Sequence, residues 1–323
     1  MRDTWQNQLL QGFSTPAQLL DYLELPSDLG CVKASQQFVT RVPRCFAEKM
    51  EKGNRHDPLL LQVLPQQTEL HTRPGFSSDP LVEKAANPIS GILHKYHGRV
   101  LLTLSGACAV NCRYCFRRHF PYQDNALGNK RLTQAIDYIR DDESIREVIL
   151  SGGDPLMVKN KVLSELLGHL ESIPHVTTLR IHTRIPIVLP ERINADFLVL
   201  LEGCHLEKVM VVHCNHGQEL DNDIKKCCER LKHHGVHVLN QSVLLQGIND
   251  SVDTLVDLSH SLFRCGILPY YLHLLDKVNG AAHFDVDLQQ GINLHRAMME
   301  RLPGYLVPKL VAERFGEKSK SWV

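Results

Sequence analysis

Neither sign of charge dominates this 323-residue chain. Lys plus Arg and Asp plus Glu both number 36, so no net field selects nucleic acid or an acidic lipid surface as a partner. No apolar run is long enough to span a bilayer, and the start, Met1-Arg2-Asp3-Thr4-Trp5-Gln6, lacks the basic segment and apolar stretch of a secretory signal. There is no G-x-G-x-x-G turn opening a helix, so a Rossmann dinucleotide site is not indicated. Without an export signal the 10 cysteines are expected to stay reduced, as thiols or metal ligands, in a cytoplasmic protein. What the chain does have is 43% apolar residues, enough for a real core. Its length suits one large domain with an appendage, or two modest ones.

Three cysteines crowd into Cys108-Ala109-Val110-Asn111-Cys112-Arg113-Tyr114-Cys115, behind the apolar run 99–104 and a Ser105-Gly106 turn. A strand that delivers a thiol-rich loop is a place to hold a soft metal. Iron–sulfur clusters normally take four thiolates and structural zinc closes with four ligands. A cluster on three thiolates therefore keeps one iron open to an outside ligand, which suggests chemistry rather than electron storage. The competing readings are a zinc site completed by His119, or plain reduced thiols. The remaining cysteines, Cys31, Cys45, Cys204, Cys214, Cys227, Cys228 and Cys265, are scattered and read as small apolar fillers.

Residues 1–92 read as a helical leader. Thr15-Pro16 suits a helix start, with Leu19, Leu20, Tyr22 and Leu23 behind it, and 46–51 reads as a further helix ended near Gly53-Asn54. The turn-rich stretch 73–80 reads as a linker. From Arg99 short apolar runs recur at 148–150, 179–181, 209–212, 236–239 and 270–272. Amphipathic helical stretches at 132–140, 162–173, 195–201, 224–233 and 255–265 separate them. Strand-then-helix repeats predict a parallel sheet with right-handed crossovers. About six units fall short of an eight-stranded barrel, so the expected fold is α/β, an open partial (β/α)6 barrel over 93–285. It would carry an N-terminal helical extension and a C-terminal segment over 286–323.

Polar signatures follow the carboxyl ends of the expected strands, where parallel α/β folds place their active sites. They are the cysteine loop, Ser151-Gly152-Gly153-Asp154-Pro155, His182-Thr183-Arg184, His213-Cys214-Asn215-His216, Asn240-Gln241-Ser242 and the stretch 273–276. Gly152-Gly153 permits a tight turn and close backbone approach to a ligand; an ordinary strand-ending turn is the alternative. Arg117 is either part of a solvated basic patch with Arg118 or a bidentate partner for a carboxylate. Asp276, beside Lys277, is either a surface ion pair or a carboxylate that holds an ammonium group. His182 and His273 are assigned no role. The last residues, 313–323, look like a frayed end.

The C-x3-C-x2-C loop followed by an aromatic residue resembles the signature of radical S-adenosylmethionine (SAM) enzymes. Further stretches, Arg41-Val42-Pro43-Arg44, Met50-Glu51-Lys52-Gly53-Asn54, His94-Lys95-Tyr96-His97, 151–157, 240–245, 269–277 and Gly304-Tyr305-Leu306-Val307-Pro308, are similar to the lysine 2,3-aminomutases. Within them the likeness is nearest the bacterial branch that supplies (R)-β-lysine for modification of elongation factor P. The resemblance implies a [4Fe-4S] cluster on Cys108, Cys112 and Cys115, with SAM on its open iron near Gly152, Gly153, Asp154 and Gln241; His213 and His216, whose other reading is as zinc ligands, read from their place after a strand as hydrogen-bonding groups near SAM. It also implies pyridoxal 5'-phosphate (PLP), held as a Schiff base by Lys320 in the C-terminal tail, with Lys309 and Lys318 as nearby competitors. Arg99, Tyr96 and Lys95 would lie near PLP. Arg117 would take the carboxylate of L-lysine and Asp276 its side-chain ammonium. Glu313 stands where lysine-specific relatives carry a second aspartate, keeping the charge but changing the reach. The implied reaction cleaves SAM to a 5'-deoxyadenosyl radical and moves the amino group from the α- to the β-carbon. The implied partners are an external electron donor and, functionally, elongation factor P and its lysylating enzyme; a homo-oligomer is also allowed. Two rivals are an aminomutase for another amino acid such as glutamate, and a non-enzymatic metal-binding module.

Overall fold

The computed structural model describes residues 4–83, 87–121, 129–314, 316–317 and 319–323. Among these, nine strands form one sheet in simple sequence order. They are β1 (Ile92–Tyr96), β2 (Arg99–Ser105), β3 (Glu147–Gly152), β4 (Thr178–Thr183), β5 (Glu207–His213), β6 (Val236–Val243), β7 (Leu268–His273), β8 (Lys309–Ala312) and β9 (Ser321–Trp322). Strands β2 to β8 run parallel, while β1 and β9 are antiparallel flaps at either edge. The two edges do not pair with one another among the described residues. The six expected strand–helix units are therefore present, in an unclosed barrel.

Each crossover helix buries one stripe. In Asn222–His233 the buried residues are Ile224, Cys227, Cys228 and Leu231, the i, i+3, i+4, i+7 spacing of a single helix face. Asp221 caps its first turn by accepting from the Asp223 and Ile224 amides, and Arg230, Lys232 and His233 occupy the last turn, so both ends complement the helix dipole. Each fully buried aliphatic of this kind contributes roughly 1.5–3 kcal/mol. Cys204, Cys214, Cys227, Cys228 and Cys265 are buried in the same core, with the half-buried Cys45 packed against it; Cys31 is buried but caps a helix, its Sγ accepting from the Ala34 amide at 3.5 Å, and none of them is disulfide-bonded.

The N-terminal segment packs into the same core as the sheet, with Phe13, Leu19, Phe46 and Leu60 joining Val100, Leu102 and Val148. Thr15 and Gln18 form a reciprocal cap at Pro16–Tyr22, as the Thr-Pro pair predicts. The helix expected over 46–51 is instead Arg44–Ala47. Asp57 accepts the Glu51 amide at 2.9 Å and draws that backbone into a turn. The turn-rich stretch near Ser77 docks on the segment after β7, where Ser77 N–H donates to Lys277 O at 2.9 Å and Asn279 N–H to Ser77 O at 2.8 Å.

The C-terminal tail is not frayed. β9 returns antiparallel on β8, pairing Val311 with Trp322 and Ala312 with Ser321, and Val323 N–H donates to Leu310 O at 3.2 Å. Lys320 is thereby held at the foot of a strand.

Candidate active site

Strand register brings the polar strand ends to one rim: Ser105 pairs with Gly152, His213 with Gln241, and Val243 with His273. They open on a cavity of about 400 Å³. Cys108, Cys112, Cys115, Gly152, Gly153, Asp154, His213, Gln241, Arg117, Asp276, Glu313, Lys320, Lys95, Tyr96 and Arg99 all line it. Chain segments more than two hundred residues apart thus contribute to one chamber.

The cysteine loop has no regular secondary structure of its own and is braced from outside. Arg113, fully buried, donates from Nε and Nη2 to Glu69 at 2.9 and 2.6 Å and from Nη1 to Phe38 O at 2.6 Å. Arg118 reaches the same Glu69 carboxylate at 2.8 Å. Arg118 is therefore a buried strut rather than part of a solvated patch. Burial alone would raise the Glu69 pKa, but the two guanidiniums hold it below the usual carboxylate range. Glu69→Gln leaves two buried cations without a counter-charge, a loss of about 3–5 kcal/mol of stability. Chemical denaturation, together with iron uptake of the variant, measures it.

Gly152 and Gly153 set the loop's other boundary. Gly152 has φ +123°, and a Cβ there would stand 2.5 Å from Ser105 O; one on Gly153 would stand 2.6 Å from Ala107 O. Only glycine lets this turn lie against the start of the cysteine loop. Gly153 N–H donates to Ser105 O at 2.6 Å and Asp154 N–H to Ala107 O at 2.8 Å. The Asp154 carboxylate accepts from Thr183 Oγ1 at 2.8 Å and from the Arg184 and Leu156 amides at 2.8 and 3.0 Å. Its oxygens fasten the end of β4, so its influence on a ligand is positional. Burial lifts its pKa to about 6 against those hydrogen bonds.

Burial and neighbouring thiol charge push Cys108 well above the normal thiol range and Cys115 to about 11. Thiols so placed ionise when a cation arrives to compensate them. Among the described residues no three His, Cys, Asp or Glu side chains are gathered in ligating geometry. The donor set nevertheless fits an iron–sulfur cluster: three thiols line one cavity, Arg184 Nη1 lies 2.7 Å from Cys112 Sγ, and Arg184 Nε is buried without a hydrogen-bond partner among the described residues. His119 does not complete the set; its Nε2 bonds Asn279 O at 3.2 Å.

Around the cavity, the Gln241 amide donates to His213 Nε2 at 2.8 Å, and burial followed by nearby cations depresses His213 to about 3. His182 and His273 keep buried Nε2 atoms without hydrogen-bond partners among the described residues, both pushed well below the usual histidine range by burial. They remain neutral. His216 caps a turn, its Nδ1 accepting from the Gln218 amide at 3.1 Å.

Lys320 Nζ lies 3.2 Å from Glu313 Oε2, and Lys95 Nζ 3.2 Å from Glu313 Oε1 and 4.0 Å from Glu83. The Asp276 carboxylate has no hydrogen-bond partner among the described residues; burial, then the charge of Glu313, lifts its pKa to about 7. The Arg99 guanidinium lies 4.8 Å over the Tyr96 ring and has no carboxylate partner there, which suits a phosphate. An amine at the foot of a paired strand and, on the same cavity, a guanidinium with no carboxylate partner among the described residues fit PLP. Lys309 does not line the cavity and instead sits over the Tyr270 and Trp322 rings; Lys318 lies outside the described residues.

One cavity residue, Glu83, escaped the sequence reading, and another, Arg184, was named there without a role. Glu83 clamps Arg117, with Nε at 2.8 Å and Nη2 at 2.7 Å, while Arg117 Nη1 donates to Ser151 Oγ at 3.1 Å and Gly152 O at 3.3 Å. A substrate carboxylate reaches Arg117 only by sharing it with Glu83 or displacing it. Arg184 was visible within His182-Thr183-Arg184 at a strand end. Its partner thiol lies 72 residues away, a distance that no local pattern records.

Residues 102–258 match the radical SAM superfamily. Across 98% of its length the chain is 49% identical to L-lysine 2,3-aminomutase of Haemophilus influenzae, covering 94% of that protein. It is 48% identical over 99% of its length to L-lysine 2,3-aminomutase of Escherichia coli, again covering 94% of the relative. Over 98% of its length it is 33% identical to L-lysine 2,3-aminomutase of Clostridium subterminale, covering 77% of it. With the cysteine loop and the cavity it serves, this likeness means that the chain belongs to the L-lysine 2,3-aminomutase family of radical SAM enzymes.

Proposed function

We propose that this chain converts L-lysine to (R)-β-lysine by 2,3-amino migration, and that the product supplies the modification of elongation factor P. The observation that carries the choice of substrate is Asp276: a half-buried carboxylate with no hydrogen-bond partner among the described residues, beside Glu313, in the cavity shared by the three thiols and Lys320. Such a group suits an ammonium at the end of an aliphatic side chain, and it repels the side-chain carboxylate of glutamate.

Cys108, Cys112 and Cys115 would hold the [4Fe-4S] cluster, and Lys320 would hold PLP with Arg99, Tyr96 and Lys95 around it. When bound, the cluster with SAM supplies a hydrogen-abstracting radical, and PLP supplies the conjugated system through which nitrogen passes between carbons. The chain's own residues do the rest. Gly152, Gly153 and Asp154 fix the wall beside the cysteine loop, and His213 and Gln241 offer neutral hydrogen-bonding groups to SAM. Arg117 receives the substrate carboxylate in competition with Glu83. Asp276 and Glu313 fix the far ammonium, so that the β-carbon is presented in one position. The buried rim excludes water from the radical chemistry.

The Asp276 pKa near 7 sets a pH dependence. Below that value the carboxyl is neutral, while the lysine ammonium stays charged because its pKa is near 10.4. The value of kcat/KM should fall about tenfold per unit below pH 7, with the limb of kcat displaced to lower pH because the bound ammonium lowers the carboxyl pKa. Asp276→Asn should lose that limb and reduce kcat/KM at pH 8 by roughly 30-fold or more, about 2 kcal/mol. The reading itself is tested by supplying the reconstituted protein with L-lysine and with L-glutamate and identifying products by mass spectrometry. Turnover of glutamate in preference to lysine contradicts it, and so does a loaded protein that turns over neither.

A further inference from the structure

The Arg184 guanidinium is buried at the edge of the cysteine loop and held on several sides. Nη1 donates to Cys112 Sγ at 2.7 Å and to Tyr114 Oη at 2.7 Å. Nη2 donates to Gln62 Oε1 at 2.7 Å and to Glu219 Oε2 at 3.0 Å. Its backbone amide is fastened to Asp154 at 2.8 Å, and the group lies 5.4 Å over the Phe46 ring and 5.7 Å over that of Tyr114. Gln62 also donates from Nε2 to Glu219 Oε1 at 3.1 Å, and Asn215 Nδ2 donates to Gln62 Oε1 and Tyr114 Oη. This cage leaves no freedom to swing toward a substrate. One donor, Nε, is buried with no hydrogen-bond partner among the described residues. Glu219 supplies the counter-charge at the Nη2 edge, while the Nη1 edge of the same guanidinium faces the Cys112 thiol.

We propose that Arg184 is a positioning and tuning residue for the metal centre. It donates an N–H···S hydrogen bond to Cys112 and places its positive charge beside the sulfur-rich group assembled there, which makes the centre easier to reduce. The inference rests on the proposed function, since it needs a cluster on the three cysteines. Adding an electron increases the negative charge on the sulfurs. A buried cationic donor stabilises that state more than the oxidised one, and hydrogen bonds to sulfur are among the levers that set such potentials. Low surrounding polarity enlarges the effect. The N-terminal segment acquires a part in this through Phe46 and Gln62, which hold the guanidinium in place.

The test is a redox titration of the anaerobically reconstituted full chain without SAM, followed by electron paramagnetic resonance of the reduced cluster. At the potential where the wild type is half reduced, Arg184→Met should show at least a tenfold lower ratio of reduced to oxidised cluster, equivalent to 59 mV for a one-electron couple. Arg184→Lys should fall between the two. Glu219→Gln removes the balancing charge and should move the ratio in the opposite direction, which a purely structural role for Arg184 does not produce. Should Arg184→Met take up no iron, the sign of the Glu219→Gln shift decides. A SAM-responsive cluster whose reduction ignores these substitutions, staying within threefold of the wild type, overturns this inference alone. A wild-type chain that assembles no cluster overturns the functional reading and this inference with it.

Discussion

Alanine at any one of Cys108, Cys112 or Cys115 should reduce SAM cleavage to background, read as loss of methionine and 5'-deoxyadenosine from the reduced, anaerobic reaction. The expectation follows from ligand number. A cluster that already leaves one iron open has no protein thiolate to spare, and the loop offers no replacement: His119 is engaged with Asn279, and Cys214, a neighbouring buried thiol, donates to His216 O at 3.4 Å. The contrast is Cys227→Ala. Cys227 is buried in the helix face of Asn222–His233 and contributes packing alone, so its loss should cost about 1 kcal/mol of stability and leave cleavage within twofold of the wild type. Full cleavage in a loop-cysteine variant would refute the assignment of the centre.

The second large effect falls on Lys320. Lys320→Ala should abolish β-lysine formation and covalent PLP retention after borohydride reduction and gel filtration, while the cluster and its response to SAM persist. The amine lies in a 3.2 Å ion pair with Glu313, which also pairs with Lys95. Were Lys320 committed to PLP, as proposed, one Glu313 oxygen would be free to join Asp276 in holding the substrate ammonium. Lys309→Ala should retain PLP covalently, because Lys309 lies outside the cavity against the Tyr270 and Trp322 rings. PLP fixed on Lys309 instead would overturn the assignment.

Much of this was legible in the sequence because it depends on local periodicity and spacing. The six strand–helix repeats and the placement of polar residues at strand ends appear as expected, and the nominated site residues, apart from the competing lysines Lys309 and Lys318, line one cavity. The parts that were not legible are long-range pairings. β9 spans only Ser321–Trp322, and its identity as a strand comes from β8 rather than from any pattern of its own. β1 likewise exists through its pairing with β2. The basic residues of the cysteine loop look alike in sequence. Arg113 and Arg118 take Glu69 from the N-terminal segment, and Arg117 takes Glu83, so their division of labour is set by partners that are 34 to 49 residues distant. Buried ion pairs of this kind leave no periodic signature.

The central claim is that three thiolates hold an iron–sulfur cluster with one iron open to SAM. Electron paramagnetic resonance of the anaerobically reconstituted, reduced protein, recorded before and after adding SAM, tests it most directly. The account predicts a paramagnetic cluster signal whose shape changes when SAM binds. Protein that takes up only zinc, or an iron signal indifferent to SAM, would contradict it.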